Sequence, residues 1–435
     1  MAEILPIKAW RYNDSLAEKL DTLTAPLFDV VSERQRKLLY ENPLNSIQIS
    51  VPSGDNPTLQ AKKTLEKWKK EGILKQDMIP GIYIYYQYFR VAGEHDERCR
   101  KGFIIQIKAY DWDEKEILRH ENTIVSAVGD RMDLLKETKF QASPTHGLYE
   151  DPDFQLEGFM DAAMKSPIYE LEDYQGVREV VALIHDAAVI RKFLEVIKSK
   201  KVILADGHHR LQSAISYRNE NKGQTEKEWS ASDFHLMYLT NARGNHIQIL
   251  PTHRLFYHLD ISEAEFLEKL GDWFEIKPFS DSEELEQYAF HTQGKFGLVF
   301  PENCYLIGLK ADRFRELNQE KPEPVRKLDL AILHDALFQR VLGIPLSDQR
   351  MSEQIAYERN FSRCLSEVRN GKASFAVITR ELEMEQVLEV CNSGEVLPQK
   401  STFFYPKALG GLVMASIDQE EFDFDYGAFF RKTER

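Results

Sequence analysis

A mixed α/β fold in two lobes is the architecture that the sequence predicts, and three observations predict it. Short apolar runs rich in β-branched and aromatic residues alternate with segments of helical period, the pattern of sheet and helix layers. The 435-residue chain exceeds the size at which one hydrophobic core keeps growing. Its composition, 43% hydrophobic and 29% charged, is that of a globular protein.

The elements follow in order. "SERQRKLLYENP" has helical spacing after Ser32 and stops at Asn42-Pro43, where the residue before proline is pushed out of the helix. "NSIQISVPSGDNP" alternates apolar and polar residues before a turn and predicts a strand. "TLQAKKTLEKWKKEGIL" is an amphipathic helix closed by Gly72. "GIYIYYQYFRVAGEHDERCRKGFIIQIKAYDW" reads as a hairpin of aromatic-rich strands around a charged turn. A polar cluster, Arg119 to Thr123, then precedes a helical run around Asp130 to Thr138. "VREVVALI" predicts a strand, and "DAAVIRKFLEVIKSKK" a helix with Asp186 as N-cap and lysines in the last turn.

"VILADGHHRLQSAISYRNE" next supplies strand, Gly207 and helix. Further on, "DISEAEFLEKLGDWF", "KFGLVF", "YLIGL", the long helix "LDLAILHDALFQRVLGI" and "ASFAVITR" continue the alternation. A boundary near Leu259 divides an N-terminal core, residues 1–259, from a C-terminal α/β lobe, 260–435.

Bulk properties exclude several classes. The net charge of −14 disfavours a general nucleic-acid or anionic-membrane binder, because phosphate neutralisation needs a basic surface. Cys99, Cys304, Cys364 and Cys391 have no paired spacing, so neither a disulfide framework nor a zinc knuckle is expected and a reducing cytoplasm is the simplest setting. The first residues lack an apolar core of signal-peptide length and no stretch approaches roughly 20 apolar residues, so neither a signal peptide nor a membrane span is expected. No Gly-x-Ser-x-Gly elbow, metalloprotease helix or dinucleotide fingerprint occurs.

The chemistry concentrates at the strand-to-helix turn around Gly207. A helix N-terminus offers unpaired N–H groups and a partial positive charge, which suit an anion. Arg210 in the first turn opposes the helix dipole alone but can fork onto phosphate oxygens, and Gly207 lets the backbone approach closely. Asp206 can hold a magnesium ion or orient a substrate donor. A metal chelated by both His208 and His209 is disfavoured, since neighbouring helical residues point about 100° apart. From the residues alone three readings stay open: a polar turn capped by Asp206, a phosphate cradle, and a metal site.

"ADGHHRLQSA" resembles the signature of the domain of unknown function 1015 family and the Asp-Gly-His-His-Arg box of the ParB/sulfiredoxin-like superfamily, which includes the free serine kinases. "PIKAWRYN", "APLFDVVS", "RHENT", "GDRMDLL", "LPTHRL" and "GEVLPQKSTFFYPKALGGLV" extend the family resemblance over nearly the whole chain. The departures are Leu27-Phe28, where the family tends to Pro-Tyr, and Leu211, where an aromatic is usual.

The resemblance implies a ParB/sulfiredoxin-like nucleotide-binding core. It implies that Gly207, His208 and Arg210 bind nucleotide phosphates and that Glu121, Asp206 and His209 are catalytic, Glu121 activating an acceptor hydroxyl. His120 and Thr123 join as substrate or phosphate contacts.

Other constellations have two readings each. Thr252, His253 and Arg254 in "LPTHRL" suit a second phosphate clamp or a carboxylate fork, or else an arginine paired with an acid between lobes. Lys400, Ser401, Thr402 and Lys407 beside Phe403, Phe404 and Tyr405 suit a nucleotide base and its phosphate, or else a core string that lacks the glycine loop of a P-loop. Asp29 and Ser32 read as turn and N-cap, and His334-Asp335 as structural.

The expected function is phosphoryl transfer from ATP or ADP, or CTP, with Mg²⁺, to a small hydroxyl-bearing metabolite such as serine. The rival is a nucleotide-binding regulatory module of ParB-like type. Expected partners are a nucleotide and a small substrate, with no nucleic acid and no membrane; a homo-oligomer stays open.

Overall fold

The computed structural model describes residues 1–91, 95–122, 125–223, 229–244, 246–259, 261–317, 319–346, 348–349, 352–398 and 400–431. They form two compact units, residues 1–247 with 406–435, and residues 248–405. The expected single cut at Leu259 thus differs from this division twice. The second unit begins earlier, and the last thirty residues return to the first.

The first unit is built on a mixed sheet. Its strands are β1 (Ile4–Leu5), β2 (Ile82–Phe89), β3 (Arg98–Lys108), β4 (Ile117–Arg119), β5 (Thr145–Tyr149), β6 (Tyr169–Glu172), β7 (Arg178–Ile184), β8 (Val202–Asp206) and β9 (Phe234–Asn241). The spatial order is β4-β8-β5-β9-β3-β2-β7-β6, with β1 on β3. β4 runs parallel to β8, and β5 parallel to β9; the other pairs are antiparallel. The mixed α/β expectation holds, and the expected hairpin is β2-β3.

Helices cover the sheet. They include α1 (Pro57–Lys70), α2 (Val125–Thr138), α3 (Ala187–Lys198) and α4 (His208–Glu220). Asp186 caps α3 as predicted, accepting from the backbone N–H groups of Ala188 and Val189. One sheet face packs Ile84, Phe103, Met237 and Leu204 with Phe193 of α3 and Leu211 and Ile215 of α4. The other packs Tyr83, Tyr85, Val181 and Tyr238 with Trp68 of α1 and with Leu412 and Val413. Burial of each such side chain contributes about 2 kcal/mol, so both faces anchor the sheet.

The stretch "NSIQISVPSG" corrects an expectation, because Ile47–Ser50 is one turn of helix rather than a strand. Ile47 and Ile49 are both buried in it. Two apolar residues two apart satisfy either element when the run is this short.

In the second unit β10 (His253–Phe256), β11 (Phe274–Phe279), β12 (Lys295–Val299), β13 (Cys304–Leu309), β14 (Ile355–Glu358) and β15 (Phe375–Ile378) form a sheet in the order β11-β13-β12-β15-β10-β14. The predicted long helix is an α-turn at Asp329–Ile332 that widens into a π-helical stretch over Leu333–Val341. Among the described residues no helix is long and apolar enough to cross a membrane. The four cysteines carry free thiols.

Candidate functional site

The predicted strand, turn and helix at Gly207 form as read, and a local irregularity aims the acid. Leu204 lies opposite Gly147 and Asp206 opposite His146, so β8 carries one extra residue against β5. Such a bulge turns the following side chain to the other face. Asp206 thereby leaves the face of Leu204 and joins that of His146 and Tyr238.

Gly207 has φ 89° and ψ 30°, and no side chain caps α4. A Cβ at this position would lie 2.6 Å from Cγ2 of Thr145 and 2.9 Å from Nη2 of Arg210. Only glycine fits both the conformation and the space.

Asp206 is buried between two cations. Nη2 of Arg210 donates to Oδ2 at 3.1 Å, and Nζ of Lys407 pairs with Oδ1. Burial opposes ionisation of this carboxyl, but the charges of Lys407 and Arg210 prevail and hold it below the usual carboxylate range. Nη1 of Arg210 also donates to Oγ of Ser143 at 3.0 Å and to the carbonyl of Pro144 at 2.7 Å. The guanidinium is therefore fixed.

Three histidines surround the turn, all kept neutral by burial. Nδ1 of His120 donates to the carbonyl of Leu204 at 2.5 Å, and its ring meets His208 edge-on with centroids 4.5 Å apart. Burial lowers His120, His208 and His146 below the ordinary histidine value, His208 and His146 strongly. Nε2 of His146 lies 2.8 Å from Oγ1 of Thr240. The site's positive charge at neutral pH thus comes from Arg210 and Lys407.

A buried polar row continues from Asp206 across the sheet. The carbonyl of Pro406 accepts from Nη2 of Arg100, and that of Lys407 accepts from Nε2 of Gln87 at 3.1 Å. The same amide donates to Oε1 of Glu179 at 3.1 Å. Burial pushes the Glu179 carboxyl up to about 8. The Pro406-Lys407 segment therefore lies over the row and supplies its only lysine ammonium on Asp206 among the described residues.

The expected residues divide between the units. His120, Glu121, Asp206, Gly207, His208, His209 and Arg210 come together in the first. Parallel pairing of Leu204 with Arg119 ends the register of β4 with β8, and Glu121 follows two residues beyond the carboxyl end of β4. His209 meets the edge of Phe28 at 6.5 Å. Thr123 lies outside the described residues.

Thr252, His253, Arg254, Lys400, Ser401 and Thr402 belong to the second unit. Nδ1 of His253 accepts from the backbone N–H of Thr379 at 3.2 Å, and its ring stacks on Phe290. Arg254 is fully buried; Nη1 donates to the carbonyl of Thr252, whereas Nε and Nη2 have no partner. The expected acid opposite it is absent among the described residues. Ser401 donates to the carbonyl of Pro398, and Lys400 adopts φ 55°.

Both carboxylate oxygens of Asp206 are engaged by cations in this structure, Oδ2 by Arg210 and Oδ1 by Lys407. No group of three metal-ligating side chains occurs among the described residues. Asp206 here is an acceptor that orients Lys407 and Arg210; as the expected magnesium ligand it would leave the remaining coordination to phosphate oxygens and water.

A family model described as a protein of unknown function (DUF1015) matches residues 4–331. The chain belongs to this family. No curated protein matches the chain. Among solved structures, a conserved hypothetical protein from Pyrococcus furiosus aligns at 12% identity over 74% of this chain and 97% of its own, with a TM-score of 0.36. A free serine kinase in complex with AMP aligns at 12% identity over 74% and 93%, with a TM-score of 0.39. SbnI with a C-terminal truncation, from Staphylococcus aureus, aligns at 11% identity over 76% and 94%, with a TM-score of 0.36. For this DUF1015 chain, sequence reasoning missed His146, Ser143 and the bond from Lys407 to Asp206. Only the basic-aromatic string "PQKSTFFYPK" hinted at the last.

Proposed function

We propose that this DUF1015 protein is a nucleotide-dependent phosphotransferase that moves a phosphoryl group from ATP or ADP, or CTP, to the hydroxyl of a small metabolite. A free amino acid such as serine is the acceptor that the Asp-Gly-His-His-Arg resemblance suggests. The proposed core is of ParB/sulfiredoxin-like type.

The observation that carries the reading is the convergence of Arg210 and Lys407 on Asp206 at an uncapped helix start behind a glycine of positive φ. Two fixed cations and the first-turn N–H groups of α4 suit the charge spread over a transferring phosphoryl group. Asp206 acts as a positioning residue that holds both cations. Neutral His208 contributes a hydrogen-bond donor without adding charge, and His209 offers a further ring N–H.

In the proposed step the acceptor oxygen forms a bond to phosphorus as the bond to the nucleotide's bridging oxygen breaks. The hydroxyl proton passes to Glu121. Phosphoryl transfer needs positioning and charge neutralisation more than covalent help, and this is what the constellation offers.

The test incubates the full chain with each nucleotide and a pool of hydroxyl metabolites and seeks a mass gain of one phosphoryl group. The expected product disappears in Glu121→Gln and falls at least tenfold in Lys407→Met. Nucleotide binding without any phosphorylated product would overturn the transferase and leave a nucleotide-responsive module.

A further inference from the structure

Two arginines stand beside the site described above without an acid of their own. Arg36 lies in the helix Glu33–Tyr40 and Arg131 in α2, and both side chains are half-buried rather than enclosed. Nη1 of Arg131 donates to the carbonyl of Ser50 at 2.7 Å, which leaves Nη2 free. Among the described residues neither guanidinium has an ion-pair partner, and that of Arg36 makes no hydrogen bond.

The pair is near the first turn of α4. The Arg131 guanidinium lies 4.6 Å from the centre of the Phe28 ring, and that ring meets His209 at 6.5 Å. Phe28 therefore bridges Arg131 to the start of α4. Arg131 and Arg210 also line one small cavity. Burial lowers Arg131 below the ordinary arginine value, and the charges of Arg210 and Arg36 lower it further against those of Asp130 and Asp29.

Such a cluster asks for an anion. Like charges held close repel, and an anion between them removes that cost. The chain carries −14 overall, so a knot of arginines is a local exception that concentrates anionic ligands. Asp206 already answers the charges of Arg210 and Lys407, whereas Arg36 and Arg131 keep donors to spare. Their forked geometry suits phosphate oxygens.

We propose that Arg36 and Arg131 clamp the phosphate that stays on the nucleotide, while the start of α4 holds the phosphoryl group in transit. The inference rests on the phosphotransferase reading. As the acceptor oxygen bonds to phosphorus and the bond to the bridging oxygen breaks, negative charge grows on the departing nucleotide. The clamp neutralises it.

Titration calorimetry on the full chain tests the clamp, with ADP and CDP as ligands and adenosine and cytidine as their phosphate-free controls. Arg36→Met and Arg131→Met are each expected to weaken the diphosphate that binds by about tenfold or more and to leave its nucleoside unchanged. Arg34→Met, which removes an exposed charge from the same helix, is expected to change neither. If Arg131→Met does not fold, Arg36→Met decides alone. Unchanged diphosphate affinity in the Arg36 and Arg131 variants, an equal loss for the nucleoside, or the same loss in Arg34→Met would overturn the clamp. Product formed with unchanged diphosphate affinity would overturn the clamp and leave the transferase. Arginine-dependent binding without a phosphorylated product would count against the transferase and leave the clamp, and a wild type that binds no nucleotide would overturn both.

Discussion

Asp206 and Lys407, 201 residues apart in the chain, form an ion pair whose side chains are only 9% and 11% exposed. A pair this buried is costly to break from one side, because the remaining charge stays desolvated. Lys407→Met should therefore lower the unfolding free energy by about 3 kcal/mol. In a double-mutant cycle with Asp206→Asn, the coupling should exceed about 1 kcal/mol. Urea unfolding of the four proteins measures both, and additive effects would show that the two side chains are neighbours without being partners.

Gly207 couples backbone conformation to packing. At φ 89° an alanine is strained, and its Cβ would meet the Thr145 methyl group at 2.6 Å. Gly207→Ala should cost about 2 kcal/mol, shared between conformation and overpacking. Thr145→Ser removes that methyl group and should recover about half of the loss when combined with Gly207→Ala. No recovery would place the whole cost in the backbone.

The turn was legible because its signals are local: an apolar run, a glycine, then apolar residues at helical spacing. The bulge that aims Asp206 was not, since it depends on how β8 registers against β5. The partnership with Lys407 was equally hidden, because the segment that carries it closes over the sheet from the far end of the chain. Arg254 looked like an anion clamp from its neighbours in "LPTHRL", yet burial in β10 is a property of the tertiary fold and leaves no trace in four residues. Ile47 to Ser50 alternated like a strand and folded as a helical turn, the ambiguity of any short apolar run.

Glu179 predicts a pH dependence of definite sign. Burial raises its carboxyl from an unfolded value of 4.5 to about 8, so the folded state holds the proton more tightly. The stability linked to that proton is fully present below the unfolded value and is lost as pH rises from 4.5 to about 8. Glu179→Gln, which mimics the protonated acid, should gain about 3 kcal/mol on the wild type between pH 5 and pH 8. Unfolding free energies of both proteins at the two pH values decide it. A constant difference would mean that the carboxyl is ionised throughout.

Arg254 tests whether an unpaired buried cation earns its place in the second unit. Burial lowers it to about 10, so it remains charged at neutral pH, with Nε and Nη2 unsatisfied and Tyr357 beneath its guanidinium at 5.6 Å. An apolar replacement of similar length sheds the desolvation of that charge and keeps most of the packing. Arg254→Met should leave the stability of the second unit within about 1 kcal/mol of the wild type or raise it. Hydrogen exchange of the backbone amides of β10 and β15 reads the stability of this unit by itself. A loss of about 3 kcal/mol or more would show that the guanidinium stabilises the fold despite its buried charge.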